Sequence, residues 1–194
     1  MKLVTYVQQR EPRLGAISDG QVIDLAQAWD AYQRGPDASA GQQGSFPAHV
    51  SALLRSDEAT WRLVRKVVAW AEAQPDREGG TFRKPLDGVR LTAPLANPSK
   101  IICVGLNYYD HCREQDIEVP ERPVLFAKFP SSIIGPGEEI TWSPDTSQKV
   151  DYEAELAVVI GRQGRNIPVE QAYDYVAGYT IVNDVSARDA QFAD

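Results

Sequence analysis

The sequence predicts an α+β protein rich in β-structure, in which a small α+β domain at the N-terminus precedes a β-rich domain. Three observations carry this prediction. Short apolar segments alternate with polar turns near the N-terminus, one longer segment repeats its apolar residues at helical spacing, and several strand-like apolar runs follow residue 99. A chain of 194 residues is long enough for one good-sized core, or for a small domain joined to part of a larger one.

The N-terminal domain begins with a predicted antiparallel meander. Strands are expected at residues 3–7, 13–17 and 21–25, because each is a short apolar segment bounded by polar residues. Asp19 and Gly20 lie between the second and third segments, and this pair is favoured in two-residue hairpin turns. Neighbouring strands of the meander should therefore pair side by side.

A helix is predicted between residues 56 and 75. Asp57 and Glu58 fall in its first turn, where acidic side chains interact favourably with the helix dipole, and Pro75 stops it. Its apolar face consists of residues at helical spacing, namely Trp61, Val64, Val68 and Ala71.

Residues 74–98 form the predicted linker, because this segment becomes rich in Pro, Gly, Asp and Arg. The predicted domains are therefore residues 1–98, an N-terminal accessory domain with its linker, and residues 99–194, the β-rich domain.

The β-rich domain contains four predicted strands, each a short apolar run bounded by turn residues: residues 101–104, 123–128, 153–160 and 179–182. A short helix that includes His111 and Glu114 should follow the first of these strands. One or two helical turns are expected at residues 168–175, since proline is tolerated in a first turn.

The chain is acidic, with a formal net charge of -7 and a pI near 4.9. Nucleic acids and anionic membrane surfaces are attracted to broad positive fields, so neither is an expected partner. No apolar run reaches the roughly 20 residues of a membrane-spanning helix, and no secretory signal is recognisable. Cys103 and Cys112 lack the spacing of a zinc site. We therefore expect a cytoplasmic protein that acts on a small molecule.

The sharpest candidate site lies where Glu153 and Glu155 open an apolar strand. Strand side chains two residues apart point to the same face, so the two carboxylates converge. A shared hard cation such as magnesium, manganese or calcium would offset their repulsion, and Asp184, after the next apolar strand, could supply a third oxygen ligand. The alternative is a solvated edge strand whose glutamates pair with nearby arginines, with Asp184 capping a turn.

His111 and Glu114 form a second candidate pair. Residues three apart on a helix share a face, so the carboxylate could orient the imidazole for general acid–base chemistry. The alternative is an ordinary pair on a surface helix. The sequence has only two histidines, and His49 lies in the less structured first half, which favours His111 as the acid–base group.

Four segments of the second half resemble, in their order along the chain, the fumarylacetoacetate hydrolase family. They are VGLNYYDHCRE at residues 104–114, PVLFAKFPSS at 123–132, DYEAELAVVIG at 151–161 and YVAGYTIVNDVSARDAQ at 175–191. The segment PRLGAISDGQVIDL near the N-terminus is similar to the small accessory domain of many bacterial members.

The resemblance implies a mixed β-roll as the catalytic domain. It implies a divalent metal, Mg2+ or Mn2+ and in some members Ca2+, held by carboxylates that match Glu153, Glu155 and Asp184. It also implies that His111 and Glu114 are the catalytic pair, and that the substrate-binding positions are matched by Arg188, Gln191 and Lys128. A homodimer is expected on the same basis.

The implied activity is hydrolysis of a C–C bond in a small 2,4-dioxo acid of the acylpyruvate or fumarylpyruvate type. Relatives also isomerise or decarboxylate 2-oxo or 2-hydroxy-dienoic acids in aromatic catabolism, and the motifs do not choose among these reactions. Family members continue for many residues past the SARDAQ string, so we expect a truncated chain with an incomplete β-roll. An alternative hypothesis, outside the class of enzymes, is therefore that the chain is an inactive fragment that binds metal.

Overall fold

The computed structural model describes residues 1–36, 46–75, 82–191 and 193. Residues 76–81, part of the predicted linker, lie outside the described residues. The chain divides into two compact units, Met1–Pro136 and Gly137–Asp194. The predicted boundary near residue 98 falls inside the first unit, and a domain division at that position stays a prediction.

The described strands of the first unit are β1 (Lys2–Gln8), β2 (Glu11–Ser18), β3 (Gln21–Asp24), β4 (Arg83–Pro85), β5 (Arg90–Thr92), β6 (Ile101–Gly105) and β7 (Val124–Lys128). Its helices are α1 (Leu25–Arg34), α2 (Val50–Leu54), α3 (Glu58–Ala73) and α4 (Tyr109–Glu114), with 3₁₀ turns at Leu86–Gly88 and Pro130–Ser132. The second unit contains β8 (Val150–Asp151), β9 (Ala154–Ile160), a 3₁₀ segment (Val169–Tyr175), β10 (Val176–Asn183), β11 (Ser186–Ala187) and α5 (Arg188–Gln191). The pairings between these strands are antiparallel, so the predicted α+β, β-rich class is confirmed. None of the described helices has the length and apolar composition needed to cross a membrane.

A five-stranded antiparallel sheet, in the order β4-β3-β2-β1-β5, organises the first unit. Two-residue turns join β1 to β2 and β2 to β3, and the residues in them, Gln9, Arg10, Asp19 and Gly20, all have positive φ. Turns of this kind match the right-handed twist of the flanking strands. The predicted meander and its Asp19-Gly20 hairpin are confirmed.

Helix α3 matches the predicted helix closely. It follows Asp57, whose side chain accepts a hydrogen bond from the Thr60 N–H at 2.8 Å and so satisfies one of the free donors of the first turn. Its buried residues are Val64, Val67, Val68 and Ala71. They join α1, α2 and one face of the sheet in a single hydrophobic core.

The structure corrects the prediction at Leu25, which begins α1 instead of ending a strand. The Asp24 side chain accepts a hydrogen bond from the Gln27 N–H at 3.0 Å, which makes it the N-cap of this helix. The alternating pattern of β3 therefore stops one residue earlier than expected. Two strands from the predicted linker, β4 and β5, form the edges of the sheet.

Strands β6 and β7 form a separate antiparallel pair in the first unit. The chain leaves β6 through Leu106, whose φ of 52° lies in the left-handed region. This conformation is strained for a large side chain. The turn leads directly into α4, which carries His111 and Glu114.

The second unit contains two further antiparallel pairs. Strand β9 pairs with β10 over most of its length, and Glu155 lies opposite Val182 near one end. Strand β8 pairs with β11, with Ser186 opposite Asp151. The 3₁₀ segment coincides with the helical turns predicted for residues 168–175. These pairings position the residues of the candidate site.

Candidate functional site

Three predicted metal ligands lie at one end of the β9–β10 pair. Glu153 precedes β9, Glu155 lies within it, and Asp184 follows β10. The Asp184 N–H donates to the Glu153 carbonyl oxygen at 2.8 Å, so these two residues extend the ladder and lie opposite each other. Directly opposed residues share a face of the sheet, as do residues two apart on one strand. The register therefore places all three carboxylate residues on one face, called here the carboxylate face.

The carboxylate face is the better covered side of β9. Glu153 and Glu155 are partly buried, whereas Leu156, Val158 and Ile160, which point the other way, are exposed. Partial burial makes an uncompensated negative charge more costly than it would be in water. The glutamates therefore require a cation or a set of hydrogen-bond donors.

Arg188, the first residue of α5, supplies one such cation. Its Nη1 donates to Glu153 Oε1 at 2.6 Å, and its Nη2 and Nε donate to Asp151 Oδ2 at 3.0 and 3.2 Å. Nη1 also donates to Gln191 Oε1 at 3.0 Å. Partial burial lowers the pKa of the Arg188 guanidinium, but its hydrogen bonds and charge interactions with Asp151 and Glu153 outweigh this effect and raise the pKa above its usual value.

The ion pair between Arg188 and Glu153 is partly shielded from solvent, since the exposed fractions of the two side chains are 24% and 25%. Charge-assisted hydrogen bonds in such surroundings are stronger than those on an open surface. Pairing of a glutamate with an arginine is what the alternative interpretation expects. It is present for Glu153, on the face shared with Glu155 and Asp184.

Asp189, next to Arg188, fixes the loop that precedes β8. Its Oδ1 accepts a hydrogen bond from Ser147 Oγ at 2.6 Å, and its Oδ2 accepts one from the Gln148 N–H at 2.9 Å. The Ser147 hydroxyl and then the Gln148 N–H hold the pKa of the Asp189 carboxyl below its usual value. This carboxylate is therefore a structural acceptor.

The donor chemistry of the carboxylate face suits a hard divalent cation, because Mg2+, Mn2+ and Ca2+ prefer carboxylate oxygens. Among the residues that the structure describes, no group of three or more His, Cys, Asp and Glu side chains is placed so that it could hold a metal ion. The Glu153 carboxylate is directed toward Arg188 through Oε1. Since a carboxylate has about four acceptor sites, the Glu153 carboxylate could bind both Arg188 and a cation. The donor types and the register fit a metal, and the metal-site prediction stays a prediction.

The remaining predicted residues, His111, Glu114 and Lys128, lie in the first unit. His111 and Glu114 are both on α4, as expected. Within the described part of the chain, the imidazole Nε2 lies 2.9 Å from the side-chain nitrogen of Gln115, and no hydrogen bond joins His111 to Glu114. Lys128 ends β7, opposite Ile101. Their catalytic and binding roles stay predictions.

Sequence reasoning missed Asp151, Ser147 and Asp189. Asp151 has the same two-residue spacing from Glu153 that singled out Glu155, so extending the alternating pattern backwards could have indicated it. Ser147 and Asp189 gave no comparable signal, because their hydrogen bond joins segments far apart along the chain.

Comparison with known proteins gives a family match over the second half of the chain. The family described as "Fumarylacetoacetate (FAA) hydrolase C-terminal" matches residues 100–194. This range contains every residue of the carboxylate face, together with Arg188 and α4.

Two curated relatives are named as mitochondrial oxaloacetate tautomerases. The fahd2 protein of Xenopus laevis is 57% identical over 103 residues, which cover 53% of this chain and 32% of the relative. The FAHD2A protein of Homo sapiens is 43% identical over 147 residues, which cover 76% of this chain and 44% of the relative. Their location is stated for those proteins, and a cytoplasmic location for this one stays a prediction.

A solved structure has the same fold. The fumarylacetoacetate hydrolase of the psychrophile Exiguobacterium antarcticum is 33% identical, with a TM-score of 0.67, and the match covers 98% of this chain and 58% of that chain. This chain spans between about a third and three fifths of the length of these three proteins.

Proposed function

This chain belongs to the fumarylacetoacetate hydrolase family through residues 100–194, and we propose that the protein is a divalent-metal-dependent enzyme that interconverts the keto and enol forms of a small 2-oxo dicarboxylic acid such as oxaloacetate. The observation that carries this proposal is the carboxylate face, which Glu153, Glu155 and Asp184 share and on which Glu153 pairs with Arg188. Tautomerisation is favoured over other reactions of the family by the names of the two curated relatives.

The charge balance of this region supports a requirement for metal. This region brings together four carboxylates, those of Asp151, Glu153, Glu155 and Asp184, and the Arg188 guanidinium pairs with those of Asp151 and Glu153. This negative excess repels a dicarboxylate substrate and attracts a divalent cation. Held by Glu153, Glu155 and Asp184, magnesium or manganese would polarise the 2-oxo carbonyl as a Lewis acid and offset the charge of the adjacent carboxylate.

Arg188 and Gln191 are the proposed substrate contacts. A guanidinium presents paired N–H donors that match a carboxylate, and the Gln191 side chain already lies within hydrogen-bond distance of Arg188. Lys128 is proposed as a further cationic contact for the substrate. Removing the charge of Arg188 should therefore weaken substrate binding as well as the ion pair with Glu153.

Proton transfer is assigned to His111. Tautomerisation breaks one C–H bond beside the oxo group and forms one O–H bond on the oxo oxygen, so one residue that both accepts and donates a proton is sufficient. An imidazole does both near neutral pH. The proposal for His111, with Glu114 as its orienting partner, rests on the family resemblance.

Hydrolysis of a C–C bond in a 2,4-dioxo acid is the second candidate, favoured by the similarity to the Exiguobacterium antarcticum hydrolase. Both reactions develop negative charge on the same oxo oxygen, so the same groups would serve either. The products separate the reactions: two acids from hydrolysis, carbon dioxide from decarboxylation, and no change of mass from tautomerisation.

Metal binding is tested first, by titrating Mn2+ into the full chain and following free ion by electron paramagnetic resonance. Glu155→Gln should weaken binding by at least about tenfold, because it removes a proposed ligand charge without changing side-chain size. Glu170→Gln is the matched control, since Glu170 is an exposed glutamate of the same unit in the 3₁₀ segment. Circular dichroism is used to check that all three proteins are folded. Equal Mn2+ affinity in the parent and in Glu155→Gln would refute the metal site.

The reaction is then tested with Mn2+ and oxaloacetate, by following the ultraviolet absorbance of the enol. Metal-dependent acceleration of keto–enol exchange, lost in His111→Gln, is the expected result. Release of two acids from an acylpyruvate, with no acceleration of keto–enol exchange, would replace tautomerisation with the second candidate.

A further inference from the structure

We propose that Asp189 and Ser147 are positioning residues for the carboxylate face. Their hydrogen bonds hold the loop before β8 against α5, and so determine where Arg188 meets Asp151 and Glu153. The inference concerns residues that do not themselves touch a metal or substrate. It rests on the proposed metal site, since positioning matters only if the face binds a ligand.

The Asp189 carboxylate connects two neighbouring residues of the loop. It accepts from Ser147 Oγ at 2.6 Å through one oxygen and from the Gln148 N–H at 2.9 Å through the other. Ser147 is only 4% exposed, and its Oγ also accepts from the Lys149 N–H at 3.2 Å. A buried hydroxyl that both donates and accepts fixes its surroundings more tightly than one facing water.

The loop leads directly to the acidic strand segment. The Arg188 N–H donates to the Lys149 carbonyl oxygen at 2.8 Å, one residue before β8, and thereby continues the β8–β11 ladder. Asp151 ends β8, and Glu153 follows two residues later. A shift of the loop relative to α5 would therefore move both carboxylates relative to the Arg188 guanidinium.

The two ends of this arrangement support each other. Asp189 joins α5 to the loop before β8, while the Arg188 guanidinium joins α5 to Asp151, the last residue of β8, and to Glu153. An arginine side chain has several freely rotating bonds, so a fixed backbone on both sides reduces the number of positions that its guanidinium can adopt.

Four variants of the full chain test the role of these residues. Ser147→Ala removes the donor to Asp189, Ser147→Thr retains a hydroxyl, and Asp189→Ala removes the acceptor. Ser143→Ala is the matched control, because Ser143 is an exposed serine of the same loop whose Oγ accepts from the Asp145 N–H and makes no bond to Asp189. Circular dichroism verifies folding of each variant.

The first readout needs no metal. Nuclear magnetic resonance spectroscopy measures the rate of hydrogen exchange at the Arg188 backbone amide and the position of the Arg188 Nε–H resonance. Faster exchange and a shifted resonance are expected in Ser147→Ala and Asp189→Ala, with recovery in Ser147→Thr and no change in Ser143→Ala. The second readout is Mn2+ affinity, which should fall about tenfold in the same two variants, as loss of a ligand-orienting partner does in other metal sites.

Each outcome decides between the two proposals. Unchanged exchange at Arg188 in Ser147→Ala and Asp189→Ala would overturn the positioning role, whatever the metal result. Faster exchange with unchanged Mn2+ affinity would also overturn it, while leaving the metal site intact. If the parent binds no Mn2+, the proposed function fails, and exchange at Arg188 still decides whether Asp189 and Ser147 fix its position.

Discussion

Replacing Tyr6 by phenylalanine tests how much the buried hydrogen bond at the start of α1 contributes to the stability of the first unit. Tyr6 and Asp24 are both fully buried, and the phenol donates to Asp24 Oδ2 at 2.6 Å. Phenylalanine fills the same space, so the substitution removes the donor without opening a cavity. A hydrogen bond to a charged group contributes about 1.5–3 kcal/mol, and its loss leaves a buried carboxylate oxygen without its donor. We therefore expect the free energy of unfolding to fall by about 2 kcal/mol.

The assay is urea unfolding, followed by circular dichroism and by tryptophan fluorescence, since Trp29 is buried on α1, the helix that Asp24 caps. Tyr109→Phe is the control, because this tyrosine is 73% exposed in the same unit, and a change within about 0.5 kcal/mol is expected. In a double-mutant cycle with Asp24→Ala, the coupling energy should be about 1–2 kcal/mol. Equal unfolding free energies for Tyr6→Phe and the parent, or a coupling energy near zero, would refute the reasoning.

The same pair predicts a dependence on pH. Burial raises the pKa of the Tyr6 phenol far above its usual value, and the hydrogen bond and charge of Asp24 raise it further. The unfolded chain loses this proton near pH 10, whereas the folded protein retains it. The stability due to Tyr6 is thus complete below about pH 10 and is lost as pH rises above that value. Tyr6→Phe should show a smaller loss of stability between pH 9 and 11, and an identical loss in both proteins would contradict the assignment.

Two further predictions concern the backbone turn between β1 and β2 and the cap of α3. Gln9 and Arg10 occupy this turn with φ of 51° and 70°, which lie in the left-handed region. Their joint replacement by Asn-Gly should therefore raise the free energy of unfolding by about 1 kcal/mol in the same urea assay. An unchanged free energy of unfolding would show that the left-handed conformation is not strained there. Asp57 caps α3, and its hydrogen bonds with Thr60 lower the pKa of its carboxyl. The contribution of this carboxylate to the free energy of unfolding is present above about pH 4 and is lost as pH falls through the lowered pKa. Asp57→Asn retains a capping oxygen but does not titrate, so the free energy of unfolding of this variant should depend less on pH on the acid side. An unchanged dependence on pH would exclude Asp57 as a source of the acid sensitivity.

Local patterns were sufficient for most secondary structure. The Asp19-Gly20 turn, the apolar face of α3 and the strand that opens with Glu153 and Glu155 all depend on interactions between residues a few positions apart. Such interactions are encoded in short windows, which is why these elements were predicted close to their observed positions. The difference at Leu25 has a similar origin, because Asp24 both ends β3 and caps α1, and the alternating pattern indicates only the strand.

Predicting the candidate site required both local sequence spacing and the pairing of distant strands. Strand spacing alone predicts Glu153 and Glu155 on one face and offers Asp184 as a third oxygen ligand, and the family resemblance added Arg188. The register of β9 and β10 was needed to place Asp184 opposite Glu153, since a shift by one residue would have turned its side chain to the other face.

By itself, the sequence determined the α+β class, the strand that carries the two glutamates and membership of an enzyme family. The tertiary structure alone decided that Arg188 lies against Glu153 and Asp151, and that Asp189 holds Ser147. The physical reason is that the partner of a charged side chain is whichever group the strand pairing brings to within about 3 Å, even when that group is distant along the chain. A short window of sequence contains no information about this pairing.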